Sequence, residues 1–253
     1  MIDFHAHQPS TTGLWGLGSY APGDYVAFMD EAGIEASVVF TTDGLVAMEP
    51  DTNDKAAAFA AADPGRLLPF GTVDPYRPGA AAEAERCLRD LGMHGLKFHP
   101  WLQGFAAHTP LLDEVCEVAG HYAAPLVFHD GTPPYSTALQ IAVLARRHPA
   151  VQVVLGHAGL FDLWRETIAA VTTTGNVHAC LCGPPIYAIR RIVEASPADR
   201  VLFGTDAGVA STARQPYVLH RIAQLSLAVP DQARRQAILR DNPRRLLPRW
   251  AAA

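Results

Sequence analysis

Short apolar segments recur along the chain at fairly regular spacing, each bounded by turn-forming residues. Most are continuous runs, such as VQVVLG and PLVF, rather than alternations of apolar and polar residues. Continuous runs are typical of parallel strands that are buried on both faces. We therefore predict eight strands, which are Ile2–His7, Glu35–Thr42, Leu67–Asp74, Gly95–His99, Pro125–His129, Val151–His157, Asn176–Cys182 and Val201–Asp206.

Segments with helical spacing separate these strands. DYVAFMDEAG ends at Gly33 and AAAEAERCLRDLG ends at Gly92, and a glycine just beyond the last turn is a common helix stop. ALQIAVLARRHP ends before Pro149, and PYVLHRIAQLSLAVP follows the last strand. The tail ILRDNPRRLLPRW predicts a helix, a break, and a further short helix capped by Asn242 with Pro243 at its first position.

Strand and helix alternate eight times without a linker or a low-complexity segment. This order predicts an α/β fold in which residues 1–253 form a single (β/α)8 TIM barrel domain, and ~250 residues is the usual size of such a barrel. A doubly wound open sheet is the main alternative. That fold usually carries a glycine-rich phosphate turn after its first strand, and this sequence has none there.

The composition narrows the classes of partner. Hydrophobic residues make up 49% of the chain and charged residues 18%, the net charge is −5, and no basic cluster points to nucleic acid. No apolar run approaches the ~18 residues of a membrane helix, and no export signal is recognisable. Four cysteines in 253 residues fit a reduced, cytoplasmic protein. We expect a small-molecule substrate as the partner, and a homo-oligomer is compatible with the sequence.

Histidine is the residue type that is most informative about function. The chain contains 11 histidines, and several of them lie at the ends of predicted strands. The first strand ends in His5-Ala-His7, and side chains two apart on a strand share a face. Both imidazoles can then bind one metal ion, since zinc–nitrogen bonds of ~2.0–2.1 Å suit such a pair. Taken alone the signal is weak, because such pairs also occur by chance on solvated strands.

Three further strands end in residues that bind metals. His129, His157 and Asp206 lie at the carboxyl ends of strands five, six and eight, the rim at which barrel enzymes place their active sites. Closure of the barrel puts strand eight, and with it Asp206, beside the first strand, while His129 can reach the same ion from across the barrel. Three imidazoles and a carboxylate suit zinc, manganese or iron, and we expect zinc.

The ordered motifs DFHAH, GLKFHP, VFHDG, VLGHAG, FGTDAG and ILRDNP cover nearly the whole chain. This set resembles the amidohydrolase superfamily. It is most similar to the branch that contains aminocarboxymuconate-semialdehyde decarboxylase, gamma-resorcylate decarboxylase and pyrone-dicarboxylate lactonase. The resemblance implies that His5, His7, His129 and Asp206 are metal ligands. It implies that His157 touches the metal-bound water or the substrate.

These roles predict a metal-dependent hydrolase acting on an ester, lactone or amide of a small, carboxylated substrate. A bound divalent ion lowers the pKa of its water from 15.7 to about 7. Asp206 would accept the proton of that water, and His157 would orient the water or polarise the scissile carbonyl, which makes both residues catalytic. Two alternatives stay open. One is a metal-dependent non-oxidative decarboxylase of an aromatic or unsaturated acid, and the other is a metal-free lactonase or ligand-binding barrel.

Strand four adds Lys97 and His99, which share a face by parity. One interpretation is a carbamylated Lys97 that bridges two metals, with His129 and His157 on the second ion. The resemblance to the named branch favours one ion instead.

Four rim residues are the predicted substrate-binding set: Lys97, His99, Trp101 and Asp130. An arginine of the same rim, such as Arg190, could hold a carboxylate. His178, Cys180 and Cys182 alternate along strand seven, and we predict packing roles for them, because buried thiols behave as small apolar groups.

Overall fold

The computed structural model describes residues 1–8, 21–46, 49, 51–208 and 215–251. Within these residues, eight parallel strands form one sheet whose spatial order is the order of the chain. The strands are β1 (Ile2–Gln8), β2 (Ala36–Thr41), β3 (Leu67–Gly71), β4 (Gly95–Phe98), β5 (Leu126–Phe128), β6 (Val153–Leu155), β7 (Val177–Cys180) and β8 (Val201–Leu202).

The sheet closes into a barrel where the segment after β8 meets β1. The Ala207 carbonyl accepts a hydrogen bond from the His7 N–H at 2.7 Å, and the His5 carbonyl accepts one from the Asp206 N–H at 2.8 Å. An open doubly wound sheet would leave both outer strands without such partners. The closure therefore excludes that alternative and confirms the predicted (β/α)8 barrel.

Helices follow the strands and pack against the outside of the sheet. They are α1 (Pro22–Ala32), α2 (Thr42–Val46), α3 (Thr52–Ala60), α4 (Ala80–Arg89), α5 (Pro100–Gln103), α6 (Asp113–His121), α7 (Ala138–Arg147), α8 (Trp164–Thr173), α9 (Ile186–Ala195), α10 (Gln215–Ala228), α11 (Gln232–Gln236), α12 (Asn242–Leu246) and α13 (Pro248–Ala251). Gly33 ends α1 in the left-handed conformation at φ 69°, as the sequence predicts. Within the described part of the chain, no helix is both long enough and apolar enough to cross a bilayer.

Apolar side chains from seven strands fill the interior of the barrel. They are Phe4, Ala36, Val38, Phe40, Leu68, Phe70, Val127, Val154, Cys180 and Leu202, all fully buried. Continuous burial on both faces of the sheet explains why the strands have continuous apolar runs in the sequence.

The C-terminal helices close the amino end of the barrel. Leu246 and Leu247 pack into the interior cluster, and Trp250 packs against it. The Trp250 indole N–H donates to the carbonyl of Gly65, which lies two residues before β3. The carboxyl end of the barrel is therefore the open end, where β1 to β8 finish.

The tail differs from the sequence prediction at Asn242. A π-helical turn at Ala237–Asp241 leads into α12 without a break, and Asn242 is fully buried instead of capping a helix. Its side-chain amide donates to the carbonyls of Ala198 at 2.9 Å and Val201 at 2.8 Å. The residue therefore ties the tail to the start of β8, a long-range contact that local capping rules do not contain.

Candidate metal centre at the barrel mouth

Strand β1 carries His5 and His7 into the carboxyl end of the barrel, where both side chains are buried. Asp3 holds this strand in place. Its carboxylate accepts hydrogen bonds from the backbone N–H of His5 at 3.2 Å and of Thr205 at 3.0 Å, and from the Thr205 hydroxyl at 2.5 Å. Burial raises the pKa of Asp3 to about 7. Asp3 is not among the predicted site residues, although a carboxylate inside an apolar strand is a signal that the sequence contains.

Asp206 lies beside the histidine pair. Its Oδ1 atom is 3.4 Å from His5 Nε2 and 3.2 Å from His7 Nε2. The residue has φ 62°, which is uncommon outside glycine and is found at strained functional positions. Burial alone would raise the pKa of Asp206, but its hydrogen bond with His7 and its electrostatic interactions with His157, His7 and Lys97 bring the pKa below its usual range. The carboxylate is therefore ionised at neutral pH.

These donor atoms have the spacing that a metal ion requires. Four ligands at zinc's bond lengths of ~2.0–2.1 Å lie about 3.3 Å apart in a tetrahedron. The two distances from Asp206 Oδ1 to the imidazole nitrogens, 3.4 and 3.2 Å, are close to this value. His7 Nδ1 is 3.3 Å from the Thr42 hydroxyl, and such a contact orients the ring with Nε2 toward Asp206. Two imidazoles and a carboxylate fit a borderline divalent ion.

Three more histidines occupy the opposite side of the mouth. The His99 and His129 rings stack at 3.7 Å, the His129 and His157 rings are 4.3 Å apart, and His157 is 4.6 Å from His5, all between centroids. Among the described residues, two donor sets lie within 4.8 Å, and they are His5, His7 and Asp206, and His5, His157 and Cys182. His129 lies next to these sets without joining either.

Burial keeps the imidazoles of the mouth neutral. It lowers the pKa values of His5, His7 and His129, and it lowers that of His157 to about 3 and that of His99 to about 2. A neutral ring has a lone pair available for a metal ion or for a hydrogen bond from a substrate. The five rings therefore form a cluster of acceptors.

Lys97 points into this cluster from β4. Its Nζ atom is 3.3 Å from His5 Nε2 and 4.7 Å from the centre of the Phe40 ring, and only 1% of the residue is exposed. Burial lowers the pKa of Lys97 to about 8, although Asp206 acts in the opposite sense. The amine therefore faces His5 at the centre of the barrel.

Asp130, predicted to contact substrate, lies elsewhere. It is fully buried, and its two carboxylate oxygens accept the N–H groups of His157 and Gly159, both at 2.6 Å. These bonds leave no surface for a substrate, so Asp130 instead positions the loop that carries His157. Burial raises the pKa of Asp130 to about 6.

Cys182 was expected only to pack. Its Sγ atom contacts the Gly156 carbonyl at 2.8 Å and lies 3.0 Å from His157 Nδ1. The thiol therefore touches a predicted catalytic histidine from the loop that follows β7. Its burial raises its pKa well above the usual value.

The remaining predicted residues spread along the rim. His99 precedes α5, and its Nδ1 accepts the Leu102 N–H at 3.4 Å. Trp101 is 48% exposed, with its ring 6.0 Å from that of His99. Arg190 is exposed on α9. His178 contacts Gln152 Oε1 through Nε2 at 2.8 Å, away from this cluster.

A closed (β/α)8 barrel with neutral imidazoles and an ionised carboxylate at its carboxyl rim defines a barrel enzyme of the metal-binding kind. The amidohydrolase family model matches residues 2–249. The chain belongs to this family, whose enzymes depend on a metal ion. The match confirms the resemblance found in the sequence and the prediction of an amidohydrolase-type enzyme.

Solved structures of the same fold cover 96% or more of both chains in each comparison below. The 5-carboxyvanillate decarboxylase from Sphingomonas paucimobilis has 19% identity, 98% coverage of both chains and a TM-score of 0.75. A candidate 2-pyrone-4,6-dicarboxylic acid hydrolase from Acinetobacter baumannii, with citric acid bound, has 16% identity, 98% coverage of both chains and a TM-score of 0.75.

A third structure is a dihydroxybenzoic acid decarboxylase from Polaromonas with bound manganese and the inhibitor 2-nitroresorcinol. It has 17% identity and a TM-score of 0.75, and the alignment covers 98% of this chain and 96% of that one. No curated protein matches the sequence. At these identities the structures establish the shared barrel, and they do not select a reaction.

Proposed function

We propose that this protein is a metal-dependent hydrolase of an ester, lactone or amide in a small carboxylated molecule. The observation that carries the proposal is the position of Asp206. Its ionised carboxylate lies 3.2–3.4 Å from two imidazole nitrogens, and 29% of its side chain is exposed at the mouth. One carboxylate can therefore bind an ion and meet a water molecule that enters from solvent.

His5, His7 and Asp206 would hold the ion, with His129 as the ligand from across the barrel. When bound, such an ion lowers the pKa of a coordinated water to about 7 and so supplies hydroxide at neutral pH. Asp206 accepts the proton of the attacking water and later delivers it to the leaving group. These two proton transfers balance, because Asp206 is an ionised carboxylate both at the start and at the end of the cycle.

His157 would act on the substrate carbonyl. Its Nδ1 atom faces the Cys182 thiol, and the Asp130 carboxylate accepts the backbone N–H groups of His157 and of Gly159, both at 2.6 Å. A ring that contacts a thiol and is carried by an anchored backbone can polarise or orient the reacting group without rearranging. Trp101 and His99 would contact the rest of the substrate, while Lys97 lies too deep to meet any group except one that reaches His5.

We propose one zinc ion, with manganese or iron as alternatives that the same donors accept. The spacing of the His5, His7 and Asp206 donors supports a single ion. A second ion would require a carbamylated Lys97, and its amine lies 3.3 Å from His5 Nε2. The four cysteines are all free, which supports a reducing, cytoplasmic environment.

The second candidate is a non-oxidative decarboxylase of an aromatic acid. Two of the three structures described above are decarboxylases of such acids. Nearly the same side chains would then serve, since a carboxylate or phenol of the substrate would meet the ion and a protonated group would deliver a proton to the ring carbon. The third reading, a metal-free lactonase or binding barrel, leaves the tight carboxylate–imidazole set without a role.

The test pairs metal analysis with product analysis. Protein purified without added ions is expected to contain about one equivalent of metal. Against a panel of aryl esters, lactones and amides it should release acid in a pH-stat, lose this activity after chelation and regain it with zinc. Release of carbon dioxide from hydroxybenzoates without any hydrolysis would establish the decarboxylase instead. Full activity without metal would overturn both metal-dependent functions.

A further inference from the structure

The Cys182 thiol lies between two polar groups beside the candidate metal centre. Its Sγ atom is 2.8 Å from the Gly156 carbonyl oxygen and 3.0 Å from Nδ1 of His157. Only 6% of Cys182 is exposed, so both contacts are shielded from solvent. A thiol that only filled space would lie against carbon atoms, whereas this sulfur faces an oxygen and a nitrogen. Its contacts are therefore those of a hydrogen-bonding group.

The loop after β7 approaches His157 closely. Gly183 follows Cys182, and a Cβ atom on this glycine would lie 2.5 Å from the His157 carbonyl oxygen and 3.1 Å from the His157 Cβ atom. Any larger residue would therefore push the loop away from the ring. From another side, the Asp130 carboxylate accepts the His157 N–H at 2.6 Å. The thiol and the imidazole are held together by the backbones that carry them.

The positions of the hydrogens follow from what each partner can donate. A thiol has one hydrogen, and burial raises the pKa of Cys182 well above its usual value, so this hydrogen stays on sulfur. A carbonyl oxygen can only accept, so the S–H group donates to Gly156. The sulfur then presents its lone pairs to the ring of His157. Nδ1 completes the contact as an N–H donor, because two lone pairs that face each other at 3.0 Å repel.

The neighbouring Cys180 leaves this assignment unchanged. Its thiol also interacts with that of Cys182, but sulfur is a weaker acceptor than a carbonyl oxygen. A Cys182 hydrogen directed to Cys180 would again be used away from the ring. In either case His157 meets a sulfur lone pair.

We propose that Cys182 is a positioning residue that fixes the tautomer of His157, with the hydrogen on Nδ1 and the lone pair on Nε2. In a neutral imidazole, the hydrogen bond made by one nitrogen decides what the other nitrogen can do. Burial keeps this ring neutral, so Nε2 is an acceptor.

This role rests on the proposed function for the reaction, and it selects one of the actions open to His157. An Nε2 lone pair cannot donate to a carbonyl oxygen. It can accept a hydrogen bond from the attacking water, and the ring would therefore act on the substrate carbonyl through the water that it orients. Asp206 remains the group that takes the proton.

The direct test is nitrogen NMR of protein with isotopically labelled histidine rings. A long-range proton–nitrogen correlation separates a ring nitrogen that carries hydrogen from one that does not, and the signals that vanish in His157→Asn belong to His157. At neutral pH we expect hydrogen on Nδ1 and none on Nε2, with added zinc and again after chelation. The chelated sample is essential, because a metal ion on Nε2 would impose the same tautomer.

Substitutions of Cys182 separate hydrogen bonding from packing. Cys182→Ser keeps one donor and its lone pairs, so it should retain the Nδ1–H tautomer and most of the turnover. Cys182→Ala removes the acceptor and adds no bulk. It should release the tautomer and lower kcat on the hydrolysed substrate roughly 10–100-fold, with KM and metal content near wild type. Cys116→Ala is the matched control at a buried thiol of α6, and it should leave the His157 signals and kcat unchanged.

Two outcomes overturn the inference. One is hydrogen on Nε2 rather than Nδ1 of His157 in the chelated wild-type protein, a result that depends on no Cys182 variant. The other is an unchanged Nδ1–H tautomer in folded Cys182→Ala, which would leave the thiol only a packing role. The proposed function fails separately, when no metal-dependent hydrolysis is found while His157 keeps its hydrogen on Nδ1.

Discussion

The two ends of the barrel differ in what their buried residues do. At the amino end, Leu246, Leu247 and Trp250 cover the interior apolar cluster, and Glu35 forms ion pairs with two arginines of the C-terminal helices. At the carboxyl end, the buried groups are imidazoles, carboxylates and Lys97. The amino end contains groups that satisfy one another, whereas the carboxyl end gathers groups whose lone pairs and charges suit a ligand.

This difference separates stability from function along one axis. Substitutions at the amino end are expected to change the free energy of unfolding and to leave metal binding intact, and substitutions at the carboxyl end are expected to do the reverse. Four predictions test whether stability depends on the amino end and metal binding on the carboxyl end, and how large each effect is.

The largest effect is expected from His5→Ala combined with His7→Ala. The pair supplies two of the three donors of the set that Asp206 completes, so removal of both should abolish tight metal binding. Elemental analysis of the purified variant measures this, with far-ultraviolet circular dichroism as the control for folding. Undiminished metal would mean that the first strand does not supply ligands.

His157→Asn should lower turnover by roughly 100-fold or more while metal content stays near wild type, because the ring acts on substrate or water. Steady-state kinetics on the hydrolysed substrate and elemental analysis of the same sample provide the two readouts. Loss of metal would instead make His157 a ligand. It would then favour either the donor set with His5 and Cys182 or the binuclear alternative.

Leu247→Ala tests the amino end. The side chain is 1% exposed within the interior cluster, so its truncation should reduce the free energy of unfolding by about 2–4 kcal/mol. Urea denaturation measures the change, and metal content should remain that of the wild type. Leu219→Ala, at a residue 45% exposed on α10, is the control and should change stability by about 0.5 kcal/mol or less. Metal loss in folded Leu247→Ala would contradict the separation of the two ends.

His178, near the amino end of the barrel, makes the stability of the fold depend on pH. Burial lowers its pKa from 6.5 to about 4, so the folded protein keeps the ring neutral while the unfolded chain takes up a proton. Stability is therefore intact above pH 6.5, falls as the pH drops, and has lost this contribution fully below about pH 4. The free energy of unfolding of the wild type should fall between about pH 7.5 and pH 5, and His178→Gln should make this fall smaller by about 2 kcal/mol.

The measurement is urea denaturation of both proteins across that range. Gln can still donate to Gln152 Oε1, which His178 contacts at 2.8 Å, so the local contact is retained. Parallel pH profiles for wild type and variant would show that His178 is not the group responsible.

The sequence predicts the order of the strands well and their ends less well. The sixth strand was expected over Val151–His157 and is found at Val153–Leu155, and the eighth was expected over Val201–Asp206 and is found at Val201–Leu202. Near the mouth the chain leaves the sheet ladder. The carboxylate of Asp130, for example, takes the N–H groups of His157 and Gly159. A pattern of apolar residues does not reveal where a side-chain carboxylate takes the hydrogen bonds that a neighbouring strand would otherwise accept.

The candidate site shows the same limit. Metal-binding residue types at the ends of strands one, five, six and eight were sufficient to locate the rim and the family. They did not reveal the burial of Asp130 or the contact of Cys182 with His157. These depend on which side chains meet across different strands and helices.

What the sequence alone determined is therefore the repeating architecture and the kinds of donor atom at the rim, because apolar periodicity and residue type are local properties. Only the tertiary structure decided which donors lie 3.2–3.4 Å from Asp206 and which stand apart, as His129 does. Closing the barrel brings His5 and Asp206 from opposite ends of the chain into contact, and burial and hydrogen bonding then set the charge of such groups.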